Sequence, residues 1–248
     1  RSNSWDGRFR MEWTPDSMWN IMFRPTIQLT KSDGNTVKTS AAYNDDPYEY
    51  TDEPLDEEEI SKLNEKGLMV NTQKSTSITY GDATKLGGMV QVNRKLGKKG
   101  RNITLRVDGD YDDKNSKSFS TQDIQYFQLV SALGGDSTYR AYRFNTTPTK
   151  SWDYSLQATY SEPIADRTYL QLSYKYKYSF TKSDRSTYDF SEMPAGTFGG
   201  ITPEYRSWNS YLSLLQNPLE DYFDNDLSRY SEYKNYIQEI QLMMRMNR

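Results

Sequence analysis

Apolar and polar side chains alternate strictly in two neighbouring runs, at residues 152–160 and 168–180, and this pattern constrains the fold more than any other feature. In the second run, one set of alternate positions is apolar throughout: Leu170, Leu172, Tyr174, Tyr176, Tyr178 and Phe180. A period of two predicts a β-strand with one apolar and one polar face. The short segment between the runs contains Pro163 and Asp166, which is typical of a hairpin turn. The sequence therefore predicts an antiparallel hairpin whose faces differ sharply in polarity.

The apolar face of this hairpin has the length and aromatic content of a membrane-spanning strand. A strand crosses the hydrocarbon layer with about 9–11 residues. We expect the following side chains to face lipid or to form the aromatic girdles beside it: Trp13, Trp19, Tyr160, Leu170, Leu172, Tyr174, Tyr176, Tyr178 and Phe180. The polar positions are expected to line a lumen: Arg24, Arg106, Asp108, Gln157, Lys175 and Lys177. Two alternatives stay open. The tyrosine-rich face could be the packed face of a soluble sheet. The polar positions could be merely hydrated, without contacting a substrate or a plug.

The same alternation recurs along the chain and predicts about seven long strands joined by connections of two lengths. Short turns are expected at 14–17, 97–100 and 162–167, and long polar connections at 31–74, 112–138 and 181–233. Short and long connections follow each other in turn, so all the short ones lie at one end of the sheet, as in outer-membrane barrels. The predicted fold class is all-β: part of an antiparallel up-and-down transmembrane β-barrel, with short helices in its long loops.

Two short helices are expected inside the long connections. Asp56 is a candidate N-cap with Glu59 as its capping-box partner, and Gly67 marks the end of this helix. A second group stands at helical spacing ahead of a proline and is expected to pack its loop onto itself: Trp208, Tyr211, Leu212 and Leu215. Within a predicted strand, Pro25 removes a backbone donor and predicts a bulge or an unpaired edge.

Composition narrows the function classes. The chain of 248 residues has no histidine and no cysteine, so the usual general base and thiolate metal ligands are missing, and we expect no enzymatic activity. Its 31 basic and 34 acidic residues nearly balance, which gives no basic field for nucleic acid. The sequence contains no run of about 18 apolar residues, so no transmembrane helix is predicted. Mean hydropathy is −0.94, which still fits a barrel because only every second strand residue meets lipid.

No cofactor is expected, although acidic clusters leave a weak calcium hypothesis open. The clusters are Asp45, Asp46, Asp52 and Glu53 in the first long connection, Asp108, Asp110 and Asp112 on one strand face, and Asp224 and Asp226 in the last connection. Carboxylate oxygens bind calcium. None of these clusters has the spaced glycine and terminal glutamate of an EF-hand loop, and a solvated loop is the simpler interpretation.

One stretch resembles a known family. The strand end and turn at residues 93–102, read as Asn-Arg-Lys-Leu-Gly-Lys-Lys-Gly-Arg-Asn, resemble the outer-membrane β-barrel family of Bacteroidetes, the barrel part of TonB-dependent-receptor-like proteins. Residues 226–230, Asp-Leu-Ser-Arg-Tyr, resemble it too, whereas Leu96 stands where an aromatic residue is typical.

This resemblance implies location in the cell outer membrane, contact with its lipid, nutrient uptake, and as partners a TonB-type energy-coupling protein and a surface lipoprotein. It implies no catalytic residues. Residues 1–248 are then expected to be an internal part of one barrel domain, with the plug and N-terminal domains absent. Two other hypotheses remain: an outer-membrane scaffold whose long loops bind protein or glycan without transport, and a soluble β-rich binding domain.

Overall fold

The computed structural model describes residues 1–97, 100–130, 134, 136–165, 167–199 and 208–246. This part of the chain is mostly β-structure. The strands are β1 (Ser2–Arg8), β2 (Met11–Trp13), β3 (Trp19–Tyr43), β4 (Met69–Lys95), β5 (Asn102–Val130), β6 (Asp136–Ala165), β7 (Thr168–Asp189) and β8 (Phe223–Met246). The helices are α1 (Glu57–Glu65), α2 (Trp208–Leu212) and two 3-10 turns, Pro47–Glu49 and Leu219–Tyr222. In these described ranges, every helix is too short and too polar to cross a bilayer.

All eight strands form one antiparallel sheet that follows chain order, so the predicted all-β, up-and-down topology is confirmed. β1 and β2 share the first position, because both pair with β3. The break between them lies opposite Pro25, whose carbonyl accepts a hydrogen bond from the Phe9 amide at 3.2 Å. The irregularity expected at Pro25 is therefore in the neighbouring strand, and Pro25 itself pairs with Gly88. Within the described residues the sheet is open, with β1 and β2 at one edge and β8 at the other.

The three short turns lie at one end of the sheet, as predicted. Asp16 stabilises the first, because its carboxylate accepts hydrogen bonds from the amides of Met18 (2.7 Å) and Trp19 (3.0 Å). The second uses Gly97 and Gly100 at positive φ, where glycine is favoured; Lys98 and Lys99 between them lie outside the described residues. The third joins β6 to β7; its predicted member Asp166 also lies outside the described residues.

The long connections are much shorter than predicted. β3 extends to Tyr43 and β4 begins at Met69. β5 extends to Val130 and β6 begins at Asp136. β7 extends to Asp189 and β8 begins at Phe223. In these extensions polar side chains stand on both strand faces and apolar ones such as Phe119 are isolated, so the alternation that identified the strands is interrupted. Backbone pairing nevertheless continues, for example between Ser75 and Gln122.

Helix α1 confirms the predicted N-cap. The Asp56 carboxylate accepts hydrogen bonds from the amides of Glu58 (2.9 Å) and Glu59 (3.4 Å), and Gly67 follows the helix at positive φ. The second contact of the predicted capping box, from the Asp56 amide to the Glu59 side chain, is wrong. Glu59 forms an ion pair with Lys62 at 2.6 Å, and the Asp56 amide donates to the carbonyl of Glu53 instead.

The buried core lies at the end of the sheet opposite the short turns. Its members are Ile78, Phe119, Tyr142, Phe144, Phe190, Phe198 and Tyr211. The first four stand on strands β4, β5 and β6, and the rest come from the chain between β7 and β8. The helix predicted near residue 208 exists, but Tyr211 packs on the sheet: its ring lies 4.4 Å from that of Phe119. The helix therefore fixes its segment to the strands and does not only pack the loop onto itself.

Candidate membrane-facing surface and polar face

The strand register places apolar residues side by side across the whole sheet. Starting from Tyr174, successive strand partners give one row: Trp13, Ile21, Val92, Leu105, Ala158, Tyr174 and Ile240. The row through Tyr176 is similar: Met11, Phe23, Val90, Val107, Leu156, Tyr176 and Gln238. Because side chains two residues apart share a face, these rows belong to one surface. We call this surface the apolar band.

The height of the apolar band matches a bilayer. Ten residue steps separate Leu170 from Phe180 on β7. At about 3.3 Å per residue the run is about 33 Å long. At the strand tilt of outer-membrane barrels, about 40°, a run of this length would span about 25 Å, the height of their apolar belt.

Side chains of the band stay open to the surroundings. Leu105, Leu156 and Leu172 are 51%, 47% and 49% exposed. Their exposure means that nothing in the described part of the chain covers the middle of this face. Soluble monomers rarely leave a contiguous apolar surface spanning seven strand positions uncovered, so this face requires an apolar environment or a partner.

Aromatic rings cluster where the band ends towards the core. Trp152 stacks on Phe180 with 4.1 Å between ring centroids. Tyr178 lies 5.2 Å from Tyr154 and 4.9 Å from Tyr236. Sequence reasoning included Tyr178 and Phe180 among the girdle residues but did not include their partners Trp152, Tyr154 and Tyr236. The signal was the same alternation on those strands, and the register is what brings the rings together.

The predicted aromatic residues at the short-turn end also share the apolar face. The Arg94 guanidinium lies 4.8 Å above the Trp19 ring. Tyr160 donates a hydrogen bond to Glu162, which also accepts one from Arg101 at 2.8 Å. Rings with polar partners at this level suit a boundary between hydrocarbon and water, where amphipathic aromatic residues are enriched.

The six residues predicted for the lumen all lie on the opposite face, in two adjacent rows. One row contains Arg24, Asp108 and Lys177, and the other contains Arg106, Gln157 and Lys175. The row positions put the charges close enough to interact across strands. Whether this polar face encloses a lumen stays a prediction.

Hydrogen bonds and ion pairs connect the polar face internally. Arg106 forms a two-pronged ion pair with Asp108, at 2.7 and 2.8 Å. Gln157 donates to the Ser173 hydroxyl at 3.1 Å, and Lys175 stands opposite Glu239. Ser173 is only 7% exposed, whereas Leu172 beside it on the other face is 49% exposed. A sheet that curves towards its polar face encloses the small polar side chains of that face and leaves the leucines of the opposite face more exposed.

The acidic clusters do not assemble a metal site. Among the described residues, no three Asp or Glu side chains converge in a way that would hold an ion. Asp108 pairs with Arg106, and Asp112 pairs with Lys114 at 2.8 Å. Asp224 accepts hydrogen bonds from the amides of Asp226 (2.8 Å) and Leu227 (2.9 Å), so its carboxylate stabilises the start of β8.

Comparison with protein-family models gives no match to this chain, and comparison with curated proteins gives none either. The functional proposal therefore depends on the geometry of the two faces of the sheet.

Proposed function

We propose that this chain forms part of the wall of an outer-membrane β-barrel of the TonB-dependent-receptor type, which takes up a nutrient. The observation that carries the proposal is the apolar band, which crosses all seven strand positions, is about 33 Å long on β7 and is left open by the described part of the chain. Burial of such a surface in hydrocarbon is favourable by about 25 cal/mol for each Å² removed from water.

The polar face supports the barrel rather than a sandwich. A sandwich would bring the apolar faces of two sheets together about 10 Å apart. In this sheet the apolar face is the more exposed one, and the polar face carries paired charges such as Arg106 and Asp108. Polar side chains turned inward and apolar ones turned outward are the arrangement of membrane barrels.

The unpaired edges indicate how the barrel is completed. In the described part of the chain, β8 leaves one backbone edge unpaired along the band, and β1 and β2 leave the other. Unpaired amides and carbonyls are not tolerated in hydrocarbon, because each costs several kcal/mol. The proposal therefore requires further strands that pair with both edges.

A second candidate function, a surface module that binds a partner without transport, is favoured by the strand lengths. β6 has 30 residues and reaches about 100 Å when fully extended. The band uses about a third of that length. The remainder forms a wall beyond the aromatic rings, with its own buried core and helices, and such a wall offers a binding surface outside the bilayer.

Fractionation of cells that produce the native protein tests the membrane proposal. We expect the protein in the outer-membrane fraction, resistant to carbonate extraction and released only by detergent. Recovery in the soluble fraction without detergent would contradict the barrel. If the protein fractionates as expected, uptake of labelled nutrients by cells with and without the gene separates transport from surface binding.

A further inference from the structure

The two ends of the sheet carry charge of opposite sign. At the short-turn end, residues 94–101 include five basic residues and no acidic one. At the other end, the connection between β3 and β4, residues 44–68, includes ten acidic and two basic residues. The apolar band lies between these ends. Positive charge is therefore concentrated next to the short-turn margin of the band.

Arg94 stands on the apolar face at this margin. It follows Val92 of the band by two positions on β4, so both side chains belong to the same face. β4 ends one residue later, at Lys95. In the register, Arg94 pairs with Trp19 on β3 and with Ile103 on β5. Its exposed side chain therefore lies where the apolar part of the strand gives way to the turn.

The Arg94 guanidinium lies against an aromatic ring and, within the described part of the chain, has no carboxylate partner. Its central carbon is 4.8 Å from the centroid of the Trp19 ring. The ion pairs formed among the described residues do not include Arg94. A guanidinium stacked on a ring keeps the N–H donors of its plane available. These donors can therefore bind a group from outside the chain.

The second arginine at this margin is already neutralised. Arg101 donates to the Glu162 carboxylate through Nε at 2.8 Å and through a second guanidinium nitrogen. Tyr160 donates to the same carboxylate. This group of three side chains contributes no net charge. Arg94 therefore supplies the uncompensated positive charge on the apolar face here.

The lysines at the opposite margin of the band differ from this arginine, because they have acidic neighbours. Lys150 lies 3.7 Å from Asp113, and Lys234 lies 2.6 Å from Glu232. Lys182 pairs with Lys150 in the register and stands opposite Glu232 on its other side. Opposite charges on directly paired strand positions stabilise each other. The short-turn margin is therefore the one with an unbalanced cation.

A phosphate group at a bilayer surface fits these properties. A guanidinium binds phosphate oxygens through two parallel, charge-assisted hydrogen bonds. Lipid headgroups border the hydrocarbon at the level where Trp and Tyr are enriched. Arg94 has such neighbours, with Trp19 on the adjacent strand and Tyr160 two strands away in the same row. Because the site contributes a net positive charge, it favours a lipid whose headgroup is anionic.

We propose that Arg94, stacked on Trp19, binds the headgroup phosphate of an anionic phospholipid at the short-turn margin of the apolar band. This inference rests on the proposed function, because it requires the band to lie in a bilayer. It adds a lipid class and a binding residue to that function. One basic residue near an anionic membrane surface contributes about a fivefold preference, which corresponds to about 1 kcal/mol.

Urea unfolding of the full chain in vesicles tests the proposal. The vesicles contain phosphatidylcholine alone or phosphatidylcholine mixed with phosphatidylglycerol. We define the lipid effect as the ratio of the folding equilibrium constants in the two kinds of vesicle. Arg94→Gln should reduce the lipid effect about fivefold relative to the wild type, since one basic residue near the surface is lost. Damage to folding that does not depend on the lipid cancels in this ratio. An equal lipid effect in the wild type and in Arg94→Gln would overturn the proposal.

Arg229→Gln is the matched control. Arg229 is exposed on the polar face of β8, beyond the aromatic rings at the other end, so this variant removes the same charge far from the proposed site. It should leave the lipid effect unchanged. An equal loss in both variants would mean that net charge, and not a site at Arg94, determines the lipid effect, and the proposal would be wrong.

Two further outcomes separate the lipid site from related explanations. Inorganic phosphate added to phosphatidylcholine vesicles should not reproduce the effect of phosphatidylglycerol; if it does, the site binds a free anion and the assignment to lipid is overturned. If the wild type folds into neither kind of vesicle, the proposed membrane wall fails and the lipid site fails with it. Folding into both, with the same lipid effect in all variants, would contradict the lipid site alone.

Discussion

Replacement of one leucine in the middle of the apolar band distinguishes lipid from water at that surface. Leu156 lies between Val107 and Tyr176 in the row nearest mid-height and is 47% exposed. In a bilayer, Leu156→Arg should lower the free energy of unfolding by about 2–4 kcal/mol, as for basic residues at the midplane of membrane barrels. This is a factor of about 30–1,000 in the folding equilibrium. In water, an exposed substitution should change stability by only about 0.5 kcal/mol.

The assay is urea unfolding in phospholipid vesicles, followed by the fluorescence of the 5 tryptophans. The next residue provides the control. Gln157→Arg places the same charge on the polar face and loses one hydrogen bond to Ser173, which costs about 0.5–1.5 kcal/mol. Equal m-values for the proteins would show that the unfolding transitions are comparable. The reasoning is refuted if Leu156→Arg is as stable as the wild type, or if Gln157→Arg is the more damaging change.

Three further variants test the two faces and the core. Tyr176→Asp should reduce the amount of protein in the outer-membrane fraction, because a carboxylate then lies in hydrocarbon; normal insertion, measured by immunoblot, would contradict it. Lys175→Glu should leave the fold intact and cost at most about 1 kcal/mol in urea unfolding, because the new carboxylate stands opposite Glu239; severe misfolding would mean that the faces are reversed. Tyr142→Phe should reduce stability by about 1–3 kcal/mol by leaving Asp123 without its partner. Since the folded pKa of Tyr142 is raised to about 12, its proton stabilises the wild type fully below pH 10, and this contribution is lost as the pH rises from about 10 to about 12; an identical alkaline slope in wild type and variant would exclude this effect.

Much of the sheet could be predicted from single-strand patterns, while the far end could not. The alternation around Tyr174 and Leu105 identified the strands wherever one face is apolar and the other polar. Towards the core, beyond Trp152 on β6, polar residues interrupt the apolar rows, and the continuation of the strands depends on backbone pairing with neighbours distant in sequence. Ser75 and Gln122, for example, belong to strands only because they face each other.

The core could not be predicted for a related reason. Phe119 is isolated among polar residues in the sequence, Phe198 lies in a glycine-containing loop, and neither belongs to an alternating apolar pattern. They meet at 5.2 Å because register places one on β5 and the returning chain brings the other across the sheet. For the apolar band, the sequence indicated which residues of each strand share a face. The alignment of those residues into rows across seven strand positions required the structure.

The count of strand positions has a consequence for ring closure. With seven positions in alternating direction, the first edge and the β8 edge run the same way. Joined directly, they would make a parallel seam, and so would a second copy inserted in the same orientation. A closed barrel in which all neighbouring strands are antiparallel therefore requires an odd number of further strands beside these seven positions, which gives an even total.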